Sequence, residues 1–277
     1  MNKFRSLLIQ LAKWLYLGTP IKLLRRVYFY LFCLIVRRKK VNAAVNGIRY
    51  SLDLGEMIDV CLLLGRYEPV MTSAIKAFCK PGFRVLDIGA NVGAHSLLMA
   101  SIVGSSGEVH AFEPTDYAFG KLEKNKSLNN LNSLFLHKLA LSDENLENQP
   151  ISYKSSWPTF GVAENVVSKV DFICLDDWVE INSVGKIDLI KLDVDGNEFR
   201  VLNGAKGILK KFRPLILMEV WGPNFAKHDQ NPFFLLDQLG YKFFEIDSGK
   251  PVDLAAMRER VSSNGQLMDY SFDILAK

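Results

Sequence analysis

The chain has 277 residues, 49% of them hydrophobic, and a formal net charge of +4. A chain of this size holds one large α/β domain plus an appendage. Its four cysteines (Cys33, Cys61, Cys79, Cys174) are scattered without a Cys-x-x-Cys pair, which argues against a structural zinc or a disulfide framework and for a reducing compartment, the cytosol.

The modest net charge conceals an asymmetry. Residues 1–52 hold eleven Lys and Arg and no Asp or Glu, leaving 23 bases against 30 acids in the other 225 residues. Phe4, Leu7, Leu8, Leu11 and Leu15 recur at helical spacing and predict an amphipathic helix over 4–17, stopped by Gly18-Thr19-Pro20. A second apolar run, 27–36, lies between Arg25-Arg26 and Arg37-Arg38-Lys39-Lys40. As a helix this run rises only about 15 Å, half of the ~30 Å hydrocarbon core, so a span is not expected. No small-residue cleavage site follows it, and a signal peptide fits poorly. Two readings of 1–44 stay open. One is a monotopic anchor, peripheral on the inner face of the membrane, with bases on anionic headgroups. The other is a pair of helices packed on the domain or on a second subunit.

Residues 45–277 read as one domain. Its entry, 41–52, alternates around Asn46-Gly47 and predicts a hairpin. Residues 56–79 read as helical, interrupted over Gly65-Arg66-Tyr67-Glu68-Pro69, and Pro81-Gly82 precedes the first core strand. Strands are expected over 84–89, 108–113, 134–141, 187–193, 215–220, 242–247 and 269–275, with helices over 95–103, 116–129, 197–212 and 230–239. The nearly unbroken apolar strands 84–89 and 187–193 suit a mostly parallel sheet covered on both faces. The alternating 269–275 suits a half-exposed antiparallel strand better than a central one. Residues 144–170 are polar and turn-rich; they read as an insertion near the substrate mouth with short strands, the Ser155-Ser156-Trp157-Pro158 stretch among them.

The chemistry concentrates at the first strand–turn–helix. Arg84–Ile88 runs into Gly89-Ala90-Asn91-Val92-Gly93, and the next strand ends on Glu113, 26 residues after Asp87. This is the layout of a nucleotide-binding half of a Rossmann-like sheet. It is not the Gly-x-Gly-x-x-Gly fingerprint, because Asn91 stands in place of the middle glycine. An acid just before the turn repels a diphosphate and suits an ammonium. S-adenosylmethionine, an adenosyl sulfonium with an ammonium and no phosphate, therefore fits better than NAD. In this reading Asp87 and the amides near Gly89 and Ala90 hold the methionine end. Gly93 lets the next helix pack on the strand, and Glu113 accepts from the ribose hydroxyls. The plain alternative makes Asp87 a helix cap and Glu113 a solvated strand end.

These pieces, with others, resemble the FkbM family of S-adenosylmethionine-dependent methyltransferases. The further matches are Gly65–Pro69, Ala140-Leu141-Ser142-Asp143, Leu189–Glu198 (against Ile-Lys-Ile-Asp-Val-Glu-Gly-x-Glu), Leu202-Asn203-Gly204-Ala205 and Leu217-Met218-Glu219-Val220. Asp195 departs from the family's Glu. The resemblance covers roughly 45–245 and implies a class I methyltransferase sheet, order 3-2-1-4-5-7-6 with strand 7 antiparallel, behind an N-terminal helical extension. It further implies methylation of a hydroxyl on a sugar, glycolipid or natural product. The cofactor set becomes Glu68, Asp87, Gly89, Ala90, Asn91, Gly93, Glu113, Ala140 and Asp143, with adenine near Ala140–Asp143.

An alcohol must lose its proton as it is methylated, which calls for a base or a metal. Ligands gather at the carboxyl ends of strands in open α/β sheets. That rule nominates Asp193, Asp195, Glu198 and Glu219; the competing reading is acids that favour a helix N-terminus. The four histidines show no metal-ligand spacing, and His95 reads as a surface or capping residue. An NAD-dependent oxidoreductase or epimerase, and a non-catalytic membrane-associated module of the same fold, are the alternatives. The acidic body argues against nucleic acid.

Overall fold

A computed structural model describes residues 22–36, 39–154, 156–221, 231–253 and 271–277. The helix expected over 4–17 lies outside them, as do Arg37, Arg38 and Ser155. The chain divides into two compact units, 1–67 with 153–166 and 68–152 with 167–277.

In the first unit, α1 (Lys22–Val36) buries Phe32, Cys33 and Val36 and exposes Val27, Tyr30, Leu31, Leu34 and Ile35. Both faces are thus apolar, whereas a surface helix ordinarily has a polar one. Strands β1 (Lys40–Val45) and β2 (Ile48–Asp53) form the expected hairpin, with Asn46 and Gly47 both at positive φ. Helix α2 (Met57–Leu64) ends where Gly65 turns left-handed at φ +68°. Trp157 and Pro158 form no strand; Pro158 makes only an isolated bridge to Glu56.

The second unit opens with α3 (Pro69–Phe78) and carries a seven-stranded sheet. Its strands in chain order are β3 (Arg84–Ile88), β4 (Glu108–Phe112), β5 (Leu134–His137), β9 (Leu189–Leu192), β10 (Leu215–Trp221), β11 (Phe243–Glu245) and β12 (Ser271–Ala276). The order β5-β4-β3-β9-β10-β12-β11 is the expected 3-2-1-4-5-7-6, with β12 antiparallel to both neighbours. Helices α4 (Ala94–Val103), α5 (Asp116–Ser127), α6 (Leu175–Ile181), α7 (Glu198–Asn203), α8 (Lys206–Phe212) and α9 (Pro232–Gln238) complete the unit.

Three expectations change. The strand expected to stop at 141 splits, because β6 (Ala140–Ser142) leaves the main sheet to pair in parallel with β8 (Asn165–Cys174), itself between β6 and β7 (Leu146–Lys154). The helix expected over 197–212 is two helices. It breaks at Gly204, where a Cβ would stand 2.0 Å from the Ser142 oxygen and where the carbonyl accepts from the Asp176 amide. Strand β12 is antiparallel and lies inside the sheet, as the family order implies, but Ile274, Leu275 and Ala276 are all buried where the alternation suited a half-exposed strand. Alternation misled because the core covers the strand.

Candidate active site

The carboxyl ends of β4, β3, β9 and β10 are neighbours, so the loops after them share one edge of the sheet. At Gly89, φ is +80° and a Cβ would stand 1.8 Å from the Asp193 carbonyl oxygen. The close approach that requires glycine is therefore to the chain's own backbone beyond β9. At Gly93, φ +85°, a Cβ would lie 2.3 Å from Leu122 Cδ1, so it is α5 that this glycine admits.

The turn is fastened to the end of β4. The amides of Gly89 and Ala90 both donate to the Phe112 carbonyl, at 3.0 and 2.9 Å, so the chain itself engages the two amides assigned to the methionine end. The next amide, of Asn91, donates to Glu113 Oε2 at 3.0 Å, with Asn91 at φ +49°. Glu113 Oε1 accepts from the Thr115 amide and hydroxyl at 2.9 and 2.6 Å. Glu113 is buried rather than a solvated strand end. Burial pushes its carboxyl above the ordinary range, and the Thr115 and Asn91 donors oppose that. A carboxylate offers about four acceptor positions; three of these contacts are internal.

Asp87 is completely buried and caps no helix. Its Oδ2 accepts from Ser96 Oγ at 2.5 Å, and its Oδ1 faces the Lys191 ammonium at 3.6 Å. Burial raises its pKa, while Lys191 and Ser96 pull it back. Lys191, on β9 directly opposite Asp87, is only 3% exposed. Its Nζ donates to Asp193 Oδ2 at 3.0 Å and to the Gly89 carbonyl at 3.1 Å. Burial opposes the charge, but Asp193, Asp87 and Glu68 outweigh it, and the ammonium is held well above its usual range. In Asp193 burial raises the pKa, and Lys191 with a hydrogen bond to Glu219 more than reverses it.

The remaining acids divide by role. Asp195 is exposed on the turn after β9, at φ +49°. Glu198 is buried, and its Oε1 accepts from the amides of Val194 and Gly196, both at 3.2 Å. It braces that turn from the start of α7. Glu219 pairs across strands with Asp273, whose pKa burial and Asp193 raise to about 6. Asp143, at the end of β6, accepts from Arg200 Nε at 2.7 Å and Asn203 Nδ2 at 3.3 Å; despite burial, these partners hold it below its ordinary range. Ala140 pairs with Phe172 in the small sheet. Glu68 takes a left-handed φ of +35° just before Pro69. Its Oε2 lies 3.6 Å from His95 Nδ1. His95 is buried, not superficial, and burial and Lys191 lower its pKa to about 3. At neutral pH it is an uncharged imidazole, 3.4 Å from Thr72 Oγ1.

Two residues that sequence reasoning passed over, Lys191 and Asp273, lie among these groups, and so does His95, which it read as a surface or capping residue. Lys191 had a signal, a charge set among Leu189, Ile190 and Leu192 in a strand that reads as buried on both faces. For His95 the signal was its place at the start of the helix after the turn, and for Asp273 there was none beyond its apolar neighbours Phe272 and Ile274.

A seven-stranded sheet in this order, with a buried acid closing the second strand and carboxylates after the fourth and within the fifth, is a class I methyltransferase fold. Within that class the chain belongs to the family described as the methyltransferase FkbM domain, whose model matches residues 87–243. Over 135 residues it is 29% identical to the hexuronic acid methyltransferase AglP of Haloferax volcanii, covering 47% of this chain and 53% of that protein. The chain therefore spans about half the length of the curated relative it matches. Among solved structures, the FkbM methyltransferase from Methylobacillus flagellatus aligns with a TM-score of 0.45 at 12% identity, over 92% of this chain and 59% of that one. Fibrillarin of Aeropyrum pernix, solved with S-adenosyl-L-methionine, gives 0.44 at 12% identity, over 86% and 81%.

Proposed function

We propose that the protein transfers a methyl group from S-adenosylmethionine to a hydroxyl of a sugar, glycolipid or natural-product acceptor. The observation that carries the cofactor is Glu113. It is a buried carboxylate at the end of the second strand of the sheet, clamped to the cofactor turn, with acceptor capacity left for a ribose hydroxyl. The surplus of carboxyls over the single ammonium of Lys191 suits a ligand bearing ammonium and sulfonium charges. Asp87, Gly89, Ala90, Asn91 and Gly93 would shape the methionine end, with Glu68 beside them. Ala140 and Asp143 would border the adenine.

When bound, the cofactor supplies an electrophilic methyl carbon. The protein's task is then to align the acceptor oxygen with that carbon and to take the hydroxyl proton; alignment alone is worth several kcal/mol of barrier. Asp193, Glu219 and Asp195 are the carboxyls at the strand ends positioned for this work. Glu198 supports the turn that carries Asp195. A sugar acceptor agrees with the hexuronic acid of the curated relative.

Calorimetry with S-adenosylmethionine, S-adenosylhomocysteine and NAD side by side tests the reading. The first two should bind and NAD should not, with Glu113→Ala losing at least ~10-fold affinity as one hydrogen bond to a charged group is lost. Binding of NAD alone would refute it.

The same reading includes a cytosolic enzyme held peripherally at the membrane, where lipid-linked acceptors accumulate. Among the described residues no helix is long and apolar enough to cross a membrane. The outer face of α1 is nonetheless apolar, in a stretch whose flanks are basic and lack acids. Full-length protein should float with anionic vesicles at low salt, and a Leu31→Glu/Ile35→Glu variant should not. Equal flotation with neutral vesicles, or none at all, would remove the membrane from the proposal.

A further inference from the structure

Lys191 is costly and has an inexpensive replacement. An ammonium taken out of water is stable only with close partners, and a well-packed hydrophobic residue commonly serves stability as well or better. The side chain sits on the central strand β9, between β3 and β10, and reaches three groups at the carboxyl edge. These are the Asp193 carboxylate at 3.0 Å, the Gly89 carbonyl at 3.1 Å and the Asp87 carboxylate at 3.6 Å. One belongs to the acceptor side of the site and one to the cofactor turn. Asp193 in turn is hydrogen-bonded to Glu219 on the neighbouring strand. Two carboxylates cannot hydrogen-bond to one another, so at least one member of the pair carries a proton, and the ammonium at 3.0 Å from Asp193 favours leaving Asp193 without it.

We propose that Lys191 is a positioning residue for methyl transfer: it makes Asp193 the ionised member of the Asp193–Glu219 pair and ties that carboxylate to the cofactor turn at Gly89. The inference rests on the methyltransferase reading above. The surroundings support the assignment of charge. Facing Asp193 from α4 is His95, kept uncharged by burial at neutral pH. Asp87 on β3, Asp273 on β12, Asp195 on the turn and Glu198 on α7 all face it with like charge, and Glu68 acts on Lys191 from before α3. Of the groups that act on Asp193, Lys191 favours the ionised form most, by charge and by hydrogen bond, and Glu219 and His95 act in the same direction. The chemistry follows. As the acceptor oxygen bonds to the methyl carbon and the carbon–sulfur bond breaks, the hydroxyl proton passes to the carboxylate that is already ionised. Lys191 fixes which oxygen-bearing group that is and where it stands relative to the cofactor turn.

The test is carbon-13 NMR of labelled Asp and Glu carboxyls in the full chain, assigned with Asp193→Asn and Glu219→Gln. At neutral pH Asp193 should be ionised and Glu219 should carry the proton; the reverse assignment, or two ionised carboxyls, would overturn the inference without any change at Lys191. In Lys191→Met the Asp193 titration should move up by more than ~1 pH unit, a tenfold change in proton affinity. S-adenosylhomocysteine affinity should fall about tenfold, as one charged hydrogen bond to the turn is lost. A purely structural lysine would lower stability and leave the Asp193 midpoint where it was, and that outcome also overturns the inference. Wild-type binding of S-adenosylhomocysteine separates the two levels. If it binds and Asp193 is not the ionised partner, only the role of Lys191 falls; if it does not bind, the methyltransferase reading falls first.

Discussion

Replacing Gly89 by alanine adds one methyl group at the point where the ends of β3 and β9 touch. The new Cβ would begin 1.8 Å from the Asp193 oxygen, 2.9 Å from its carbonyl carbon and 3.3 Å from Val194 Cγ1. None of these is a flexible side-chain tip except the last, so the two strand ends must part. Overpacking of that kind costs ~1–3 kcal/mol. Holding a residue with a Cβ in the left-handed region adds ~1–2 kcal/mol. The sum, ~2–5 kcal/mol, is a large fraction of the ~5–15 kcal/mol that holds a typical domain together. Gly249→Ala is the matched control, since φ is +64° there and nothing lies within 4 Å of the added methyl. It should show only the backbone part. Urea denaturation of both variants, compared at equal m-values, isolates the contact term. If Gly89→Ala is no less stable than Gly249→Ala, the close approach of the strand ends is not what demands glycine, and the geometry given for the turn after β3 is wrong.

Three further outcomes follow from the same geometry. Leu122→Ala, at a fully buried side chain against Gly93, should cost ~2–5 kcal/mol in chemical denaturation, and a loss below ~1 kcal/mol would mean that α5 does not pack on the turn as described. His95, with its folded pKa lowered from 6.5 to about 3, binds its proton later than in the unfolded chain. Its contribution to stability is present above the unfolded pKa and is lost as pH falls toward the folded one, and His95→Gln should flatten that limb of a stability-versus-pH curve; an unaltered limb would show that His95 is not the group responsible. Glu198→Gln keeps an acceptor oxygen for the Val194 and Gly196 amides and should leave S-adenosylhomocysteine binding and folding nearly intact. Glu198→Ala strands those amides and should cost ~1–3 kcal/mol, measured by thermal unfolding, and equal effects of the two would remove the bracing role.

The alternation of apolar strands and amphipathic helices, the Asn46-Gly47 hairpin and the break at Gly65–Pro69 were legible because each is a local signal. Periodicity, turn chemistry and glycine placement act within a few residues. The ordered motifs added the strand order, which no local pattern contains. What failed was edge information. Alternation in 269–275 could not tell an exposed face from one covered by the core, and the 134–141 run could not announce that its end would join another sheet.

The chain by itself determined which segments become strands, where the backbone must turn left-handed, and that acids would crowd the carboxyl edge of the sheet. These depend on neighbours in sequence. Only the folded arrangement decided which acids are fastened inward and by which partners. Glu198 became a brace, Asp143 an ion-pair partner of Arg200, and Asp87 a counterion of Lys191. Asp273 entered the site from the far end of the chain. Burial and pairing set the charge on a carboxyl, and both come from groups that lie distant along the chain and meet only once the strands are side by side.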